Sequence, residues 1–199
     1  MSSSPTTTTS NSRDLYFHTP NPGVLISRSS HLLSSKSIIL RGSVSSHPTK
    51  ISPGVVIRGD LCMTPSTSGT TAAPTQGSNI IIGRGVTIGP ETVIRPPHLF
   101  SLINPENYPN PFACSDPGEI VLTPDTLVIG EGTTIGKGVT LDGVKNIGLN
   151  VRIGDGAVLC NNVVVHDNVT VCCDSVIREE VVLPPNSTWR GCPAQRVEL

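Results

Sequence analysis

The chain has 199 residues, enough for one domain with a genuine buried core. Its 14 basic and 15 acidic side chains leave a formal charge of −1, which indicates neither a basic nucleic-acid surface nor an acidic solvating tail. Three Phe, two Tyr and one Trp are too few for a base-stacking platform, and 19 glycines with 18 prolines describe a turn-rich chain rather than a helical bundle.

Residues 1–23 are rich in Ser and Thr and read as a disordered tail, with neither the apolar core of a secretory leader nor the basic residues of a presequence. No apolar run approaches the roughly 18 residues of a membrane span. Cysteines at 62, 114, 160, 172, 173 and 192 have no zinc-ribbon or Cys-x-x-Cys spacing. The expectation is a cytoplasmic chain whose reduced thiols pack as small hydrophobes. Residues 24–199 read as one solenoid. Its first coil uses a weak six-residue spacing, Ile26, Leu32, Ile38 and Val44, with a one-residue slip before Ile51 and Ile57. Residues 63–78 cannot bury anything and read as a loop ejected from a corner. The spacing returns at Ile82, Ile88 and Ile94. A second insert, 98–124, carries Phe100, Leu102, Ile103, Tyr108 and Phe112, which either pack on a solenoid face or a partner or simply cover their own solenoid.

From Ile129 onward the pattern is strict. Steps of six land on Ile129, Ile135, Leu141, Ile147, Ile153, Leu159, Val165, Val171, Ile177, Leu183 and Trp189. The residue four after each is mostly small or β-branched. A helix cannot use this spacing, because six residues at about 100° each send successive anchors in three directions. A short strand followed by a corner can. Three strands then make one coil of eighteen residues, and anchors eighteen apart stack into columns. This is an all-β, single-stranded parallel β-helix of the hexapeptide-repeat type, and coils this short resemble the left-handed class. Lys145 interrupts the inward pattern and predicts a local shift between Leu141 and Ile147. Beyond Leu183 no residue remains to pair above, so the last coil reads as an open edge blunted by Pro184, Pro185 and Pro193. Trp189 is too large for the interior and reads as a lid.

Four segments occur in order: Ile57-Arg58-Gly59-Asp60-Leu61, Val93-Ile94-Arg95-Pro96-Pro97, Val182-Leu183-Pro184-Pro185 and Gly191-Cys192-Pro193. With the hexads, the stretch from Val24 to Pro193 resembles the dynactin subunit 5 family, which is left-handed β-helical. The resemblance singles out Arg95, Pro96, Pro97, Gly191, Cys192 and Pro193 as family motif residues. It implies a non-catalytic pointed-end subunit of dynactin, associated with the cytoskeleton and supporting dynein-dependent, microtubule-based transport. The implied partners are dynactin subunit 6 as a heterodimer, dynactin subunit 4, an actin-related protein and dynein cargo adaptors, with no nucleic acid, membrane insertion, metal or cofactor.

Two enzymatic readings compete. Gamma-class carbonic anhydrases are similar at Arg58-Gly59-Asp60 but hold zinc on three histidines. Here His18, His31, His47, His98 and His166 form no convergent trio by spacing. Arg58 and Asp60, two apart on a strand, read instead as a structural ion pair between coils. A hexapeptide acyltransferase would need a histidine base, and His166, beside Asp167, is the candidate; a solvated corner side chain is the blander account. Cys160 and Cys172 are twelve apart and fall on different corners. The expectation carried forward is therefore a binding module with no catalytic residue.

Overall fold

The computed structural model describes residues 16–18, 23–33, 35–42, 47–61, 80–101, 121–124 and 126–197. Expectations for residues 1–15, 63–78 and 102–120 lie outside that set. The chain winds as a left-handed parallel β-helix with three sheets as its faces. The parallel part of the first face runs through Val24–Ser27, Thr49–Ile51, Thr87–Ile88, Thr134–Ile135, Arg152–Ile153, Thr170–Val171 and Thr188–Gly191. The second holds His31–Leu33, Val56–Arg58, Val93–Arg95, Thr140–Asp142, Val158–Leu159 and Val176–Ile177. The third holds Ile38–Leu40, Ile80–Ile82, Leu127–Ile129, Asn146–Ile147, Val164–Val165 and Val182–Leu183.

Each strand is short because only the anchor and its neighbour lie between corners. Side chains alternate, so the anchor faces in and its neighbour faces out. The residue two before the anchor also faces in, as Val139, Val151, Val163 and Val169 do; all four are fully buried. Register aligns the anchors: Ile129, Ile147, Val165 and Leu183 on the third face, Leu141, Leu159 and Ile177 on the second, Ile135, Ile153 and Val171 on the first. All are at most 3% exposed. Each contributes about 1.5–3 kcal/mol, with coils both above and below it except at Ile177 and Leu183, which end their faces. Trp189, the last of the series, is half-buried; its indole N–H donates to Ser187 Oγ at 2.9 Å.

Corners need a left-handed backbone residue, and Asn150, Asn162, Asn168, Asp174 and Asn186 supply it with φ of 53–60°. The corner between the third and first faces adds a steric demand. A β-carbon placed on Gly130 would collide with the Gly148 carbonyl one coil above, so these two coils close over glycine.

Two details depart from the sequence reading, in the first coil and at the carboxyl end, and the local shift expected at Lys145 is present. In the first coil, Leu40 aligns with Ile82 and Ile38 with Ile80, so the third-face anchor is Leu40; two apolar residues two apart both face inward. Val44 lies outside the described residues. At Lys145, the corner comes one residue early: Gly143 takes φ 74° and Val144 fills the interior in place of Lys145. The carboxyl end is not open along the first face. Gly191 pairs with Ala194 across the two-residue turn Cys192-Pro193, and Ala194–Val197 returns antiparallel over Thr188–Gly191. At the other end Tyr16–His18 covers Val24–Ser27 in the same way, with Lys50 Nζ 5.5 Å from the Tyr16 ring centroid. Both ends of one face are thereby closed by antiparallel strands.

Candidate functional site

The corner between the third and first faces stacks one short segment per coil: Arg84-Gly85, Glu131-Gly132, Leu149-Asn150 and His166-Asp167-Asn168. Backbone bonds hold it without interruption, from Gly83 N to Ile129 O (2.8 Å), Gly130 N to Ile147 O (2.7 Å), Gly148 N to Val165 O (2.8 Å) and His166 N to Leu183 O (3.1 Å). Asp167 Oδ1 accepts the Leu149 N–H at 2.8 Å, and Asn168 Nδ2 donates to Asn186 Oδ1 at 3.2 Å. His166 therefore projects into solvent from a backbone whose every neighbour is tied down. The glycine column Gly83, Gly130, Gly148 is followed one coil higher by His166. Along the same edge lies a groove of about 410 Å³ lined by His47, Arg84, Glu131, Leu149 and Asn150. Arg84 Nε stands 4.0 Å from Glu131 Oε1, and Leu149 is 47% exposed. An exposed imidazole beside a part-apolar groove can serve as a general base.

The other residues singled out by the sequence are scattered and serve the scaffold. Arg58 Nε and Nη2 donate to Asp60 Oδ1 and Oδ2 at 2.8 and 2.9 Å. The pair is formed within one coil, where Gly59–Leu61 makes a 3-10 turn, rather than between coils. The hydrogen bond from Arg58 holds the Asp60 carboxyl below the usual carboxylate range and raises the guanidinium in turn. Arg95 Nη1 lies 3.5 Å from Asp142 Oδ1, and Pro96 and Pro97 are buried where the second insert leaves the solenoid. Gly191, Cys192 and Pro193 build the turn into the return strand. Burial pushes the Cys160 thiol up, with Glu179 and Asp142 adding to the shift. Among the described residues no three His, Cys, Asp or Glu side chains gather as a metal site.

The Arg84–Glu131–Leu149 groove was missed from sequence. Each of those residues stands two after an anchor (Ile82, Ile129, Ile147), so the column could be counted out, but only once the 98–124 insert is known to leave the register intact.

No family model matches the chain. It is similar to serine acetyltransferases of Staphylococcus aureus, among them those of strains Mu50 and MW2, at 35% identity over 91 residues. The match covers 42% of this chain and 42% of each relative, so the chain spans about two fifths of the length of the curated relatives it matches. Among solved structures, the acetyltransferase domain of PglB from Neisseria gonorrhoeae aligns with a TM-score of 0.54 at 18% identity, over 87% of this chain and 57% of that one. A mutant of AntD, an N-acyltransferase from Bacillus cereus in complex with dTDP and coenzyme A, gives 0.56 at 14%, over 89% and 81%. At those identities the structures establish the shared fold.

These comparisons correct the functional expectation. The curated relatives are acetyltransferases, and the non-enzymatic dynactin assignment falls. With it go dynactin subunit 6, subunit 4, the actin-related protein and the dynein cargo adaptors as partners. The physical reason is visible in the motifs that suggested it. Arg58-Gly59-Asp60 closes a turn, Pro96 and Pro97 line a chain exit, and Gly191-Cys192-Pro193 makes a hairpin. They report how coils are built and ended, and a β-helix of any function can carry them.

Proposed function

We propose that this chain is an acyltransferase of the hexapeptide class, moving an acyl group from a coenzyme A thioester to the amine or hydroxyl of a small acceptor. The observation that carries this reading is the 35% identity to serine acetyltransferases over 91 residues. The glycine-closed corner supports it by holding the exposed His166 imidazole on a rigid edge beside a groove that His47 also lines.

In this reading neutral His166 accepts the proton of the acceptor N–H or O–H as that atom attacks the thioester carbonyl. The carbon–sulfur bond then breaks, and the departing thiolate takes the proton from the imidazolium. Leu149 and Asn150 border the acceptor, while Arg84 and Glu131 offer opposite charges to its polar groups. The ladder beneath His166 fixes its backbone, so little ordering cost is left for the reaction itself.

The test is thiol release from acetyl-CoA by the purified chain, across a panel containing L-serine and amino sugars, with the acylated acceptor identified by mass. His166→Ala is expected to lower turnover by about 10²–10⁴ with melting unchanged, since the side chain is exposed. Turnover indifferent to that substitution, or thiol release without an acylated product, overturns the assignment.

A further inference from the structure

The three faces do not present the same exterior. Outward positions of the second face include Val93, Val158 and Val176, and those of the third include Ile81, Val128 and Val182. The first face instead presents Thr87, Thr134, Arg152, Thr170 and Thr188 in one column. Threonine is an ordinary strand residue, so the hydroxyls alone mean little. The arginine among them is different. Arg58, Arg84 and Arg95 each sit within 4.0 Å of a carboxylate oxygen, whereas Arg152 is exposed and, like Arg41, Arg178, Arg190 and Arg196, has no carboxylate that close among the described residues. It lies in a groove of about 480 Å³ that Ile153, Gly154, Val171, Cys172 and Cys173 also line. No acidic residue lines that groove.

Register sets Thr134 directly below Arg152 and Thr170 directly above it, each about 4.8 Å away. A guanidinium with a hydroxyl on either side offers parallel N–H donors and two O–H donors to one tetrahedral anion. We infer that Thr134, Arg152 and Thr170 form a seat for a phosphoryl group, and that its occupant is the phosphate-bearing end of the acyl donor. The identity of the occupant rests on the acyl-transfer reading above. Position agrees with it: Thr170 follows His166 by four residues, so their Cα atoms are within about 14 Å. A donor whose thioester is joined to its phosphates by an extended arm reaches both.

Calorimetric titration with adenosine 3′,5′-bisphosphate, inorganic phosphate and acetyl-CoA tests the seat, on the full chain and on Arg152→Gln. Binding of the bisphosphate is expected to weaken at least about tenfold in Arg152→Gln, while melting stays unchanged. Thr134→Val with Thr170→Val should weaken it less. In turnover, Arg152→Gln should raise the KM for acetyl-CoA and leave kcat nearly as it was. Bisphosphate binding indifferent to Arg152, or absent altogether, overturns the seat even if turnover proceeds. Inorganic phosphate binding as tightly as the bisphosphate overturns the donor as occupant. Arg152-dependent binding of the bisphosphate without acyl transfer to any acceptor upholds the seat and counts against the acyl-transfer reading alone.

Discussion

Two corners of the same solenoid behave in opposite ways. Between the third and first faces the chain keeps its register through five coils, glycines close the spacing, and side-chain oxygens take up corner N–H groups. Between the second and third faces nothing is so regular. Both inserts leave there, in consecutive coils after Ile57 and Ile94, and the next coil turns a residue early at Gly143. The early turn has a consequence one coil higher. At regular corners the side chain two after the anchor accepts an N–H from below, as Asp155 Oδ1 does from Lys137 and Asp167 Oδ1 from Leu149, both at 2.8 Å. Below Asn161 that position is Gly143, whose N–H points the other way, to Arg95 O at 3.2 Å. Asn161 Oδ1 and its neighbour Asn162 Oδ1 are left buried without a donor. Regularity at one edge gives a rigid platform for the exposed His166; the other edge absorbs inserted chain at the expense of hydrogen bonds.

The strongest way to erase the difference is to break the core both corners share. Val165→Asp puts a carboxylate at a fully buried position and should cost several kcal/mol, read as a collapse of the unfolding midpoint in urea. Near-normal unfolding would contradict the register. Gly130→Ala acts on the regular corner alone. Its methyl meets the Gly148 backbone, so a loss of about 1–3 kcal/mol is expected. Gly138→Ala, with open space but φ of 64°, should lose only about 1–2 kcal/mol from backbone strain.

Sharper still is a pair of equivalent positions. Asp167→Ala should lose about 1 kcal/mol by leaving the Leu149 N–H without its acceptor. Asn161→Ala should stay within about 0.5 kcal/mol of wild type or gain, because its oxygen has no donor to lose. Equal losses at the two positions would refute the contrast. The smallest effect belongs to Arg58 and Asp60. Because the folded carboxyl titrates below its unfolded value of about 3.9, the pair's contribution is present above that pH and is lost as pH falls through the lower folded value. The melting difference between wild type and Arg58→Gln should therefore narrow on acidification; a difference that grows toward low pH would reverse the assignment.

The fold was legible because burial enforces the period: from Ile129 to Leu183 any slip would turn an anchor outward, so the columns can be counted directly. Lys145 marked the early corner for the same reason. The first coil was harder, since Ile38 and Leu40 both face inward and composition cannot say which aligns with Ile82. The return strand Ala194–Val197 left no periodic trace, because antiparallel pairing depends on a tight turn rather than on a repeat. Function was the least legible part. Arg58-Gly59-Asp60 and Gly191-Cys192-Pro193 are distinctive as strings yet serve turns. The exposed column through Arg84, Glu131, Leu149 and Asp167 is selected by no packing rule, and its residues share no chemical type. His166 stood in view throughout, as an ordinary-looking corner residue.

The most direct measurement is steady-state acyl transfer from acetyl-CoA by the wild-type chain and His166→Ala, with product mass recorded alongside thiol release. The account predicts acceptor-dependent turnover in the wild type and its near-complete loss in a variant that melts at the same temperature. A correctly folded wild-type chain that acylates no amine or hydroxyl acceptor, or a His166→Ala chain as fast as its parent, would contradict it.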